Sequence, residues 1–262
     1  MINKVKSLLF KTLKIDGYLT VIQKSYLAAF RLGLLKNNPA YKWHYFVKDF
    51  VRDGDHIIDI GSNLGYFTVQ FSEKVKNSGH LYCVEPVQPF QNQLRKLISG
   101  KANITLLPYA LGEENDKNVT LGIPTEFQKL GYLRHGTTTL LHGGSSADGK
   151  YSFEARMKKG SELFNNLPKL DYIKCDIEGY ETVVFPEMKN VIEKYQPLVQ
   201  LETWGVQLMT MYNFFKELGF AAYYLEVGKL KLLENKAQNL WGDSDILFVP
   251  DTKKERVRPF LQ

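Results

Sequence analysis

The chain has 262 residues, 44% of them hydrophobic and 24% charged, with 20 glycines and 10 prolines. These proportions exclude collagen-like, disordered and multi-span membrane classes, and the length suits one large domain or two small ones. The net charge of +6 is uneven: residues 1–52 carry ten Lys or Arg against Asp16 and Asp49, which leaves the rest of the chain at −2. A basic arm of this kind meets a membrane surface, a nucleic acid or an anionic substrate, or is a solvated helical face. Cys83 and Cys175 are too few for a disulfide framework or a four-thiolate zinc site. Both lie in apolar runs and read as buried free thiols of a reducing compartment.

The first fifty residues read as helical, in apolar clusters at Tyr18–Leu35 and Trp43–Val51 broken by Asn37-Asn38-Pro39. Leu8, Leu9, Thr12 and Ile15 share one helical face opposite lysines, the pattern of a membrane-surface helix or of an amphipathic cap. Lys11 and Lys14 interrupt the early apolar run before a signal sequence could form, and no stretch approaches the roughly 18 apolar residues of a spanning helix. A cytoplasmic protein, peripheral at most to the inner membrane surface, is the expectation.

After the Asp53-Gly54-Asp55 turn, His56–Ile60 is a short β-branched strand, followed by a helix from Gly65 to about Lys76. His80–Glu85 and Ile104–Pro108 are the next strands, with a helix at Pro89–Ile98 between them. The alternation resumes with a strand at Leu170–Ile177, a helix at Thr182–Tyr195, a strand at Leu198–Glu202 and a helix at Met209–Leu218. Phe220–Val227, Lys229–Glu234 and Ile246–Val249 are late strands. Such alternation marks a doubly wound parallel sheet. Residues 113–168 break the rhythm as an insertion, with strands at Val119–Ile123 and Tyr151–Arg156 around a loop rich in small and hydroxyl residues.

Chemistry concentrates at strand ends. Asp59-Ile60-Gly61-Ser62-Asn63-Leu64-Gly65-Tyr66 closes the first strand. Gly61 allows a sharp turn and Gly65 close packing, but Asn63 and Tyr66 defeat the dinucleotide fingerprint G-x-G-x-x-G. The carboxylate of Asp59 in the crevice would repel a pyrophosphate and accept a cationic ligand such as S-adenosylmethionine. Glu85-Pro86 ends the second strand, 24 residues after Gly61, where an acid receives ribose hydroxyls. Asp176, Glu178, Glu181 and Glu202 then converge on the carboxyl edge of the sheet and need a cation, a proton or hydrogen-bond donors to coexist. Glu181 joins them or faces solvent in the first turn of a helix.

D-I-G-S-N-L-G-Y-F-T, V-E-P, A-L-G, I-K-C-D-I-E-G-Y-E and Q-L-E, in that order, resemble the FkbM-type S-adenosylmethionine-dependent methyltransferases from about Trp43 to Val249. I-K-x-D-I-E-G-x-E is the most specific segment. The resemblance implies an α/β Rossmann-like class I methyltransferase fold: a seven-stranded, mostly parallel sheet with helices on both faces, N-terminal helices and an insertion before the fourth strand. It implies O-methylation of a hydroxyl on a saccharide, glycoconjugate or natural product. By position, Asp59, Gly61, Ser62, Asn63, Gly65 and Tyr66 would surround the methionine part, Glu85 and Pro86 the ribose, and Ala110 and Leu111 the adenine. Asp176 would sit beside the reacting methyl. The loop from Gly131 to Ser146 lies where such proteins vary with substrate. Thr137, Thr138 and His142, with Glu178 and Glu202 from the sheet edge, are therefore acceptor-binding candidates.

Asp176 is the first candidate for general base and His135 the second, against the bland reading of a loop histidine as incidental. Asp176, Glu178 and Glu202 also offer hard oxygen ligands suited to Mg²⁺, or are hydrogen-bonded structural carboxylates. Other readings are a nucleic-acid methyltransferase, against which no N-P-P-Y-type motif and no Pro-Cys nucleophile stand, and a scaffold that binds the cofactor without catalysis. In this fold the strands of Cys83 and Cys175 are separated by the first strand, about 9–10 Å apart, too far for a disulfide. The expected organisation is a basic helical segment at 1–52 packed on the core, a catalytic domain at 53–250 with its substrate-side insertion at 113–168, and a basic tail at 251–262.

Overall fold

The computed structural model describes residues 2–141, 151–234 and 245–262. Its strands are β1 (His56–Ile60), β2 (His80–Val84), β3 (Ile104–Leu107), β4 (Tyr109–Leu111), β5 (Asn118–Gly122), β6 (Thr139–Leu140), β7 (Ser152–Lys158), β8 (Tyr172–Cys175), β9 (Leu198–Glu202), β10 (Phe220–Glu226), β11 (Lys229–Leu232) and β12 (Asp245–Pro250). The helices are α1 (Ile2–Arg31), α2 (Lys42–Phe46), α3 (Tyr66–Val75), α4 (Gln88–Ile98), α5 (Thr125–Gln128), α6 (Gly160–Phe164), α7 (Glu181–Glu187), α8 (Lys189–Tyr195), α9 (Gly205–Glu217) and α10 (Lys254–Val257).

The main sheet runs β11-β10-β12-β9-β8-β1-β2-β3. From β3 to β9 every pairing is parallel, and β12 lies antiparallel between β9 and β10. This is the Rossmann-like class I arrangement, with the eight strands read along the sequence where the resemblance implied seven. The extra strand, β11, folds back on β10 through Val227-Gly228, both at positive φ, as a tight hairpin requires. The reversal of strand order falls between β1 and β8, and a crevice outside the strand ends opens there.

One face of the sheet packs against α7, α8 and α9, with Phe185, Met188, Ile192, Leu208 and Phe215 in its core. The helix expected at Thr182–Tyr195 is two helices joined at Met188: Pro186 has no N–H to give the ladder. The other face meets α2, α3 and the C-terminal turns through Trp43, Phe50, Phe71 and Val257. There Arg256 pairs with the buried Asp55 and donates from Nε to the Phe50 carbonyl at 2.6 Å, so the basic tail is anchored to the core.

The insertion folds as a second sheet, β4-β7-β5-β6. Its apolar side forms a third core with α1 and α4, built on Tyr18, Leu19, Phe90, Leu121 and Met157. The helical face expected at Leu8, Leu9, Thr12 and Ile15 divides: Leu9 and Ile15 pack on this core, whereas Leu8 is 67% exposed. Leu8 and Leu9 are adjacent and point about 100° apart around the helix, so only one of them meets the core; the chain bends further on, at Lys14 (φ 55°, ψ −172°). No helix among the described residues is long and apolar enough to cross a membrane. Cys83 and Cys175 are free, buried thiols on strands separated by β1.

Candidate functional site

Two cavities open side by side at the carboxyl edge of β1 and β8. Gly61, Asn63, His135, Gly136 and Asp176 line both.

Backbone geometry shapes the first, of about 680 Å³. After β1 the chain passes so close to β8 that a Cβ on Gly61 would lie 1.9 Å from the Asp176 carbonyl oxygen, and its φ is +75°. Glycine alone satisfies both conditions. The loop then turns through Asn63 at φ 49°, and the Asn63 N–H donates to Glu85 Oε2 at 2.8 Å. The Val87 N–H donates to Oε1 of the same carboxylate, also at 2.8 Å, so Glu85 fixes two loops at once. Burial pushes the Glu85 carboxyl up to about 7, against the pull of those two amides. Phe90, Ala110, Leu111, Leu121 and Leu140 supply apolar walls, from α4 and the second sheet. Each Glu85 oxygen keeps a lone pair, so the cavity offers an apolar slot with an acceptor of hydroxyl hydrogens at its rim.

Side chains shape the second cavity, of about 1200 Å³. In a parallel sheet buried on both faces the strands should be continuously apolar. Here Asp59, Lys174 and Gln200 are register partners in a row across β1, β8 and β9, and Glu202 pairs with Asp245 across β9 and β12. Side chains alternate along a strand, so all five project to the face that carries Ile57, Tyr172, Leu198 and Leu247. The Pro39–His44 segment and Phe67 enclose the space above them. The buried Lys174 ammonium donates to Asp176 Oδ2 at 3.1 Å and lies 5.1 Å from the Phe67 ring centroid. Burial disfavours its charge, but the carboxylates of Asp176, Asp59, Glu202 and Asp245 outweigh that and raise its pKa. Asp59 accepts from Thr68 Oγ1 at 2.7 Å, while its Oδ1 is buried without a partner among the described residues. Burial raises Asp59, Glu202 and Asp245 alike, with repulsion from Asp176 adding to it in each case.

His135 stands between the cavities. Asn63 Nδ2 donates to the His135 carbonyl, and His135 Nδ1 lies 3.0 Å from Asn63 Oδ1, so the network assigns the hydrogen to Nδ1. The lone pair of Nε2 then faces the Tyr66 hydroxyl at 3.4 Å. Burial lowers the ring's pKa to about 4, which keeps it neutral near pH 7.

Most of the residues expected at the site border these cavities. Pro86, Ala110, Leu111, Thr138 and Glu178 line the first; Asp59, Ser62, Tyr66 and Glu202 line the second. Gly65 (φ +82°) closes the turn and packs on Leu94 and Leu97. Thr137 donates to the Arg134 carbonyl and lines neither cavity, and His142 lies outside the described residues. Glu181 is buried and accepts from the Ile177 N–H at 3.0 Å, away from both cavities. The Mg²⁺ set is corrected. Glu178 faces one cavity and Glu202 the other, and no three metal-ligating side chains gather among the described residues. Lys174, absent from the expected site, is a cation that helps the carboxyls of the second cavity coexist. Its signal in the sequence was a polar residue inside an apolar strand, a feature it shares with Asp59 and Gln200, although only the register puts the three side by side.

A family model described as the methyltransferase FkbM domain matches residues 59–222. Over 57 residues the chain is 37% identical to the protein-L-isoaspartate O-methyltransferase of Methanosarcina mazei, covering 21% of this chain and 24% of that one. It therefore spans about a quarter of the length of this curated relative. Among solved structures, methyltransferase FkbM from Methylobacillus flagellatus aligns with a TM-score of 0.48 at 13% identity, over 74% of this chain and 43% of that one. A SAM-dependent O-methyltransferase from Thermotoga maritima aligns at 0.43 and 10% identity, over 80% and 64% of the two chains.

Proposed function

Because the chain belongs to the FkbM methyltransferase family, we propose that it is an S-adenosylmethionine-dependent O-methyltransferase acting on a hydroxyl of a small molecule or glycan. The observation that carries this reading is the meeting of two unlike cavities at Asp176, one apolar with an acid at its rim and one lined by hydrogen-bonding groups. The residues fit the cofactor. The orphaned Asp59 Oδ1 suits an ammonium, the free lone pairs of Glu85 suit ribose hydroxyls, and Ala110, Leu111 and Phe90 suit a flat heterocycle. When bound, S-adenosylmethionine supplies an electrophilic methyl group, whose carbon–sulfur bond breaks with its electrons going to sulfur as the acceptor oxygen–carbon bond forms.

The chain's own task is alignment and proton removal. Placing an acceptor in a near-attack pose supplies roughly 7–11 kcal/mol, and a positioned base adds about 10²–10⁴-fold. Asp176, oriented by Lys174, is the group that takes the hydroxyl proton. His135, neutral and with Nε2 unprotonated, is the alternative acceptor of that proton. The exposed Val5 and Leu8 of α1, beside Lys4 and Lys11, suit a peripheral membrane contact that would bring a membrane-attached acceptor to this site.

Calorimetric titration of the full chain with S-adenosylmethionine and S-adenosylhomocysteine tests the reading, with micromolar binding expected that excess chelator leaves unchanged. Glu85→Ala removes a charged acceptor and should weaken binding by about 10- to 150-fold. Asp176→Asn should leave binding near normal and remove most turnover. A folded chain that binds neither compound overturns the proposal.

A further inference from the structure

Around the second cavity the described carboxyls outnumber the described ammoniums. Among the described residues, the carboxyls of Asp59, Asp176, Glu202 and Asp245 face the ammoniums of Lys42 and Lys174. Lys174 holds Asp176, and Asp59 has the open oxygen that suits the cofactor's ammonium. What is left is the Glu202–Asp245 pair, directly opposite each other across an antiparallel ladder, where like charges repel. Lys42 bears electrostatically on Asp245 and donates to the Leu225 carbonyl at 3.0 Å; Gln200 donates to Asp245 Oδ1 at 2.8 Å. Among the described residues, the cation that bears on Glu202 is Lys174, which already holds Asp176, so the pair carries a surplus of acid. A proton on the pair meets that surplus, consistent with the upward displacement of both acids.

A second observation points to a ligand in the same space. The indole of Trp43 is 2% exposed and forms part of the cavity wall, and its Nε1–H has no partner among the described residues. A buried donor of this kind calls for an acceptor oxygen. His44, stacked on Phe67 at 4.1 Å and kept neutral by burial, adds no positive charge to the wall.

We propose that the second cavity recognises an acceptor that carries a protonated amine beside the hydroxyl to be methylated, an amino sugar or similar amino alcohol, with the amine seated on the Glu202–Asp245 pair. This inference rests on the methyltransferase reading and narrows its substrate class. The amine takes the place of the proton held by the pair, which leaves to solvent, and sets a positive charge beside the two carboxyls, while a neighbouring oxygen takes the Trp43 N–H. Phosphate- or carboxylate-bearing acceptors are repelled, so the basic N-terminal arm does not define the charge of the group bound here.

The test loads the full chain with S-adenosylhomocysteine and titrates glucosamine, glucose and glucuronate, which offer a cation, a neutral hydroxyl and an anion on one ring scaffold. Glucosamine should bind at least about 10-fold more tightly than glucose, and glucuronate should not bind. Glu202→Gln should narrow the glucosamine–glucose gap to under about threefold with unchanged affinity for S-adenosylhomocysteine. Asp245→Asn should narrow it in the same direction, and serves if the first variant does not fold. Equal or tighter binding of glucose or glucuronate, no binding of glucosamine, or a gap that survives both substitutions overturns the inference. Failure of S-adenosylhomocysteine itself to bind overturns the methyltransferase reading instead.

Discussion

The two cavities are made differently. The first is framed by main chain: two glycines and Asn63 in left-handed conformations, and a carboxylate whose oxygens are occupied by backbone amides. The second is framed by side chains on one face of four strands and roofed by the Pro39–His44 segment. A site of the first kind is specified by local conformation and fits a ligand common to many proteins. One of the second kind depends on residue identity at separate strand positions, and can change its ligand while the fold stays constant.

The comparison breaks most sharply at Gly61. Gly61→Ala forces a left-handed conformation that costs about 1–2 kcal/mol and drives a methyl group into the Asp176 peptide. The shift displaces both the turn and Asp176. Binding of S-adenosylhomocysteine should fall by more than about 100-fold, with the melting temperature also lowered. Retention of near-normal affinity would show that the close crossing of β1 and β8 does not shape the proposed cofactor site.

The same contrast explains what could be read beforehand. The first cavity was legible because its determinants are contiguous: D-x-G-x-x-x-G and E-P carry their conformational demands within a few residues. The doubly wound parallel sheet followed from the β-α alternation, and its strand order from the family resemblance. The strands at Phe220–Val227 and Lys229–Glu234 were legible as well, but not the turn that closes them, because Val227-Gly228 is an uncommon turn pair with an exposed valine at φ 47°. Lys174 lay in the segment quoted as most specific, yet its role depends on Asp59 beside it in β1 and on Gln200 in β9, neighbours that only register supplies. The Mg²⁺ expectation failed for the same reason. Glu178 lies two residues beyond Asp176, but the left-handed turn at Glu178 (φ 54°) and Gly179 (φ 100°) carries its side chain to the other cavity.

Lys174→Met sharpens the comparison at the second cavity. Removing one partner of a buried ion pair leaves uncompensated carboxylates and typically costs 3–5 kcal/mol. Urea unfolding should show a loss of about that size, while the folded fraction binds S-adenosylhomocysteine within about threefold of the parent. A loss below about 1 kcal/mol would mean that protons, rather than Lys174, already neutralise the carboxyls.

The smallest effect is a pH dependence that reads the first cavity apart from the second. Glu85 rises from about 4.5 to about 7 on folding, by burial. Between those values the folded chain holds a proton that the unfolded chain has lost, so this group's contribution is complete below pH 4.5 and is lost by about pH 7. Asp59, Glu202 and Asp245 are displaced in the same direction, which broadens the parent's decline. Glu85→Gln should lower stability at every pH, because one amide N–H then faces a second donor, but should flatten the slope between pH 4.5 and 7. Each kcal/mol amounts to about 2–4 °C in melting temperature for a chain of this size, so the difference is a few degrees and shows best in the ratio of two pH series. Saturating S-adenosylhomocysteine should flatten the parent's slope in the same window, since hydroxyl donors on the Glu85 carboxylate favour its charged form. A slope indifferent to both the substitution and the ligand would place the titrating acid in the second cavity, and would remove Glu85 from the cofactor's reach.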